Sequence, residues 1–112
     1  MNLPENGRPL RIFIGESDRW QHQPLHEAIV LKAREQGLAG ATVFRGFLGY
    51  GASSHLHTSK VLRLSNDLPV VIEIVDTEDK IQKFLPLLDS MMGGGLVTID
   101  DVRIIRYRGQ AS

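Results

Sequence analysis

The sequence predicts an α+β sandwich of the ferredoxin-like type, βαββαβ with a short extra strand near the C-terminus. Three observations carry this: apolar residues alternate with a period of two near the start, helical spacing follows twice, and each helical stretch separates strand-like stretches by a crossover of adequate length. With 112 residues, 42% hydrophobic and 23% charged, the chain has the material for one core and one domain. That domain is expected over residues 10–109, after an N-terminal extension at 1–9 and before a tail at 110–112.

Leu10, Ile12 and Ile14 alternate with Arg11 and Phe13, giving a first strand over about 8–15, with Pro9 marking an edge or end. Pro24 suits a first helical turn, and Leu25, Ala28, Ile29 and Ala33 follow at helical spacing until Gly37 supplies a cap, so the first helix spans roughly 24–36. Ala41 to Leu48 is rich in β-branched and aromatic residues and forms a second strand that feeds a Gly-rich stretch. Lys60 to Leu64 reads as the returning strand, Asn66-Asp67-Leu68-Pro69 as a break, and the apolar run Val70 to Val75 as a central strand.

Asp76 and Thr77 are N-cap candidates, with Glu78 and Asp79 placed to favour the helix dipole. Ile81, Phe84, Leu85 and Leu88 form the stripe of a second helix to about Met91, in which Pro86 predicts a kink or irregular turn. The Gly93 to Gly95 loop, a short strand at Leu96 to Ile99 and a last one at Val102 to Arg108 complete the order. Both helices then cover one face of an antiparallel sheet, and apolar residues on both sides of several strands imply that another subunit covers the other.

Thirteen basic residues balance thirteen acidic ones, so no global field exists to hold nucleic acid or an anionic membrane surface. Nine of the thirteen bases are Arg, the side chain suited to bidentate contact with phosphate or carboxylate. The absence of cysteine excludes disulfides, thiolate metal sites and a Cys nucleophile. No stretch approaches the roughly 18 apolar residues that span a bilayer, and a cytoplasmic location is expected, with no direct membrane insertion.

Residues 45–57 hold the densest chemistry. Gly46, Gly49 and Gly51, with the second cluster Gly93, Gly94 and Gly95, expose backbone NH groups suited to an anion, although three glycines also permit a tight helix-to-strand turn. No Gly-Lys-Ser/Thr follows either cluster, so neither is a Walker motif. Arg106 and Arg108, two apart, project to one side of a strand and would clamp one polyphosphate, with Arg103 pointing away; the alternative is a solvated edge strand. Arg45 and Arg63 either add to such a site or pair with Glu73.

His55 and His57 suit a divalent metal such as Zn, Ni or Cu, with His22 or His26 as further ligands, but no carboxylate cluster or Cys accompanies them. Ser53 and Ser54 beside His55 have no orienting carboxylate or oxyanion motif, so no catalytic residue is assigned and the chain is not expected to be an enzyme. Trp20 is placed as a staple at the start of the first helix and an intersubunit seam, the alternative being a residue that stacks on a base or contacts a partner.

Several segments resemble the DUF190 family of PII-like proteins: Gly15-Glu16-Ser17-Asp18, Glu27-Ala28-Ile29-Val30, Gly37 to Val43, Arg45-Gly46, Gly49-Tyr50-Gly51 and Leu68 to Glu73. The resemblance implies a ferredoxin-like subunit assembled as a homotrimer, with a mobile loop between the second and third strands. The layout is also similar to the PII nitrogen-regulatory proteins, which bind adenine nucleotides between subunits and present a long loop to a target. By that resemblance Gly46, Gly49 and Gly51 match the glycine-bearing start of the loop, Gly93 and Gly95 the phosphate-binding turn, and Arg106 and Arg108 the paired arginines near the C-terminus. Where the PII turn continues into a Lys, this chain has Leu96.

The expected function is thus a signalling protein that takes an adenine nucleotide or other phosphate-bearing metabolite and requires no cofactor. It would meet a protein target, a membrane transporter or channel being one class, through residues 50–60, including Tyr50, Ser53, Ser54, His55 and His57. The alternatives are a metal-binding trimer that uses His55 and His57, and a ligand-free adaptor.

Overall fold

A computed structural model describes residues 6–50 and 68–109. Strand β1 (Asn6–Gly15) is the hub: it pairs antiparallel with β5 (Pro69–Asp76) on one side and with β6 (Leu96–Ile99) on the other. Strand β4 (Ala41–Arg45) pairs antiparallel with β5, so the order across the sheet is β4-β5-β1-β6. Helix α1 (Leu25–Glu35) joins β1 to β4 and helix α2 (Glu78–Met91) joins β5 to β6, each crossing a strand that lies between its ends. This is the split βαβ arrangement of the predicted ferredoxin-like sandwich.

Register explains the single core. Leu10, Ile12 and Ile14 stand opposite Ile74, Ile72 and Val70, and all six are buried under Leu25, Ala28, Ile29 and Ala33 of α1 and Ile81, Phe84, Leu88 and Met91 of α2. The intervening positions form the other face. One row across it is apolar, Phe44-Val71-Phe13-Leu96, and the next is Thr42-Glu73-Arg11-Thr98. Phe44 and Leu96, at the ends of the apolar row, are both more than half exposed.

The two C-terminal strand pieces share one register. Leu10 pairs with Ile99, and after two positions Gly7 and Asn6 pair with Val102 and Arg103 of β7 (Val102–Arg103). The interruption falls opposite Pro9, which has no NH; its carbonyl still accepts from the amide of Asp100. The predicted last strand over 102–108 is shortened to Val102–Arg103; beyond it Ile104 packs over Gly7 and Tyr107 bonds Ala39 instead of continuing the ladder. Residues 104–109 are not strand.

Three other expectations are modified. Helix α2 runs unbroken through Pro86, whose missing NH leaves the carbonyl of exposed Gln82 without its bond from that turn. Thr77 is the N-cap, accepting from the amide of Lys80, whereas Asp76 ends β5. Between β1 and α1 lies a hairpin, β2 (Arg19–Trp20) and β3 (Gln23–Pro24), with Gln21 and His22 both at positive φ. Trp20 sits in this hairpin, packed against the core. The returning strand expected at Lys60 to Leu64 lies outside the described residues.

Candidate functional site

The end of the sheet where β1 finishes gathers the two glycine segments. Gly46 follows β4 at one edge; its amide donates to the carbonyl of Pro69 at 2.7 Å, and a Cβ there would stand 2.9 Å from the Pro69 ring. Gly46 is thus fixed by packing, and its NH is already used. Gly49 lies against the same ring, and Tyr50 beyond it is exposed.

At the opposite edge Gly93, Gly94 and Gly95 join α2 to β6. Gly95 is required by the backbone: its φ is +113°, and a Cβ would come within 2.7 Å of the Phe13 carbonyl oxygen. Gly93 carries neither demand, since nothing lies within 4 Å of the position its Cβ would take. The three glycines form one wall of an open groove of about 580 Å³, whose other lining includes Gln82, Leu85, Pro86, Asp89, Met92 and Val97. These α2 residues share a flank because they recur at helical spacing.

With β4 and β6 as opposite edges, three interstrand spacings separate Gly46 from Gly95, about 14 Å. One phosphate cannot touch both within one chain. Arg106 and Arg108 are farther still, at the other end of the strands. Ile104 packs over Gly7, and Tyr107 donates its hydroxyl hydrogen to the carbonyl of Ala39 at 2.8 Å, so the tail straps across the end where β1 begins. Both arginines are exposed there. The expected alternation of two arginines on a strand is replaced by this strap.

Asp76, fully buried, organises the same end. Its carboxylate accepts from the amides of Ala39 at 2.8 Å and Thr77 at 2.6 Å, tying the α1–β4 connection to the start of α2.

Two ion pairs settle the fate of Arg45 and Glu73. Glu73 takes Arg11 at 2.8 Å, and Arg11 reaches Asp100 at 3.0 Å; the Glu73 hydrogen bond and charge hold the Arg11 guanidinium above its ordinary pKa. Arg45 instead grips Glu16 with two nitrogens, at 2.8 and 3.0 Å. Thr42 occupies the position opposite Glu73, so Arg45, three residues on, lies at the end of the strand. Glu16 drew no role from the sequence, although its proximity to the end of β1 was the available signal.

Gly51, Ser53, Ser54, His55, His57 and Arg63 lie outside the described residues. Among the described residues no group of three or more His, Cys, Asp or Glu side chains is placed to hold a metal ion, and no helix is long and apolar enough to cross a membrane.

The DUF190 family model, described as an uncharacterized ACR, matches residues 7–104. The chain belongs to the DUF190 family. It is 41% identical over 96 residues to a UPF0166 protein of Aquifex aeolicus, covering 86% of this chain and 90% of that one. A UPF0166 protein of Methanocaldococcus jannaschii is 34% identical over 102 residues, covering 90% and 92%. Among solved structures, a PII-like protein of Thermus thermophilus superposes with a TM-score of 0.63 at 13% identity, covering 94% of each chain. CPII of Thiomonas intermedia, bound to ADP, AMP and acetate, superposes with a TM-score of 0.56 at 18% identity, covering 95% of this chain and 94% of its own. These likenesses place this DUF190 chain in the PII-like fold.

Proposed function

We propose that this protein is a PII-like regulator that binds an adenine nucleotide or related phosphate-bearing metabolite between copies of itself, and that it performs no bond-making chemistry. The observation that carries this is the position of the glycine segments, at one end of the sheet but on opposite edges. A contact between the β4 edge of one copy and the β6 edge of the next brings Gly46 and Gly49 against Gly93 to Gly95. That contact uses two different surfaces, so its repetition gives a ring where the rotation between copies closes and a filament where it does not; a closed trimer is the form proposed. The apolar row Phe44-Val71-Phe13-Leu96 supports assembly, since among the described residues its ends Phe44 and Leu96 remain more than half exposed.

In each junction Gly93 leaves room for a phosphate against the backbone, and the apolar part of the α2 groove accommodates a planar ring. Solved PII-like relatives bound to ADP with AMP or bicarbonate favour this ligand class. Arg106 and Arg108 would join the ligand only after Tyr107 leaves Ala39. Ligand occupancy would then set which surface meets a protein target, a membrane transporter or channel being one class.

The test is light scattering of the purified protein combined with a thermal-shift series against ATP, ADP, AMP, bicarbonate and divalent metals. A trimer mass with a saturable upward shift for one nucleotide is expected. A monomer, or no shift with any nucleotide, overturns the proposal.

A further inference from the structure

The glycine end of the sheet needs a cation if it is to hold a phosphate, and the described structure offers few. Arg106 and Arg108 are at the other end, and Leu96 follows the glycine turn. Arg19 and Arg45 are the described basic residues beside the end of β1, and Arg19 donates to the carbonyl of His22 within its own hairpin. That leaves Arg45, which directly precedes Gly46.

Arg45 is not idle. Its guanidinium makes a two-pronged contact with Glu16, the geometry with which arginine also receives a phosphate. Glu16 is the better-held partner: its side chain is 26% exposed against 60% for Arg45, and its amide donates to the carbonyl of Leu68 at 2.8 Å. Arg45 is therefore the member of the pair free to turn outward, and an incoming phosphate would present the same pair of acceptors with more charge.

We infer that Arg45 is the anion-binding cation at the glycine end of the sheet and that the Glu16 carboxylate competes with the ligand for it. The inference rests on the anion-site reading above and adds its specificity: a phosphate must displace a carboxylate, so weakly charged ligands are rejected. Because Arg45 is on the β4 edge, the ligand it meets is the one held by Gly93 to Gly95 of the adjoining copy.

Calorimetric titration of the full chain with ADP and with inorganic pyrophosphate, at one ionic strength, tests this in four proteins: wild type, Glu16→Gln, Arg45→Gln and the double variant. An exposed ion pair of ordinary strength predicts that Glu16→Gln binds about two- to fivefold tighter than wild type. Loss of a charge-assisted contact predicts that Arg45→Gln binds at least about tenfold more weakly. The double variant should equal Arg45→Gln, because Glu16 acts only through Arg45.

If Glu16→Gln tightens binding equally with and without Arg45, the carboxylate merely repels anions and the inference fails. Unchanged affinity in Glu16→Gln or Arg45→Gln, with wild-type binding intact, also overturns it while leaving the nucleotide reading standing. Absence of binding in all four proteins overturns both. Far-UV circular dichroism and melting of each variant exclude misfolding as the cause of a loss.

Discussion

The hydroxyl of Tyr107 bonds the carbonyl of Ala39, 68 residues earlier, and so fixes a tail that pairs with no described strand beyond Arg103. Tyr107→Phe should cost about 0.5–1 kcal/mol in urea unfolding, the net worth of one partly exposed hydrogen bond. It should also speed amide exchange in residues 104–109. If the tail arginines serve the nucleotide, the same variant binds ADP more tightly, since the contact it loses holds them away.

Asp76 carries a heavier structural duty. Asp76→Ala removes the buried carboxylate that holds the part-buried amides of Ala39 and Thr77, so a loss of about 2 kcal/mol is expected. Chemical denaturation reads this directly. A change smaller than about 1 kcal/mol would mean that water or a shifted backbone satisfies those amides.

The glycines at the turn after α2 should separate into two kinds. Gly95→Ala forces a methyl against the Phe13 carbonyl at a strained φ and should destabilise by about 2 kcal/mol or more. Gly93→Ala meets open space and should leave the unfolding midpoint within about 0.5 kcal/mol of wild type. A nucleotide affinity that nonetheless falls in Gly93→Ala would mark it as a ligand contact.

Arg11, raised by its hydrogen bond to Glu73, gives a pH prediction with a definite sign. A cation whose pKa is raised on folding contributes stability that is complete below its unfolded value and is lost only as pH rises through the folded one. The stability difference between wild type and Arg11→Gln, followed by thermal melts from neutral pH into moderate alkali, should therefore stay constant. A difference that shrinks across that range would show that Arg11 is not the group that sets it.

The core was legible because burial is one-sided: Leu10, Ile12 and Ile14 announce a strand by alternation, and Ile81, Phe84 and Leu88 a helix by spacing. The Arg19–Pro24 hairpin was not, because its tip uses Gln21 and His22 where Gly or Asn would have signalled positive φ. The break between β6 and β7 has its cause in Pro9, some ninety residues away on another strand. Likewise the glycines and arginines could be found as residue types, but only strand order and the course of the tail show that they occupy different edges and different ends.

The central place of β1 has a bearing on how the chain is made. No described residue before Pro69 pairs with it, and β4, the only other described long-range strand of the first half, is held apart from it by β5. During synthesis the earliest strand therefore waits, its apolar side unpaired, until β5 emerges, and its second edge waits for residues 96–103. Folding is consequently governed by contacts remote in sequence, which are slow to close. A nascent chain halted before residue 69 would leave Leu10, Ile12 and Ile14 without β5 and α2, with α1 as their described cover, and would depend on chaperones or speed to escape aggregation.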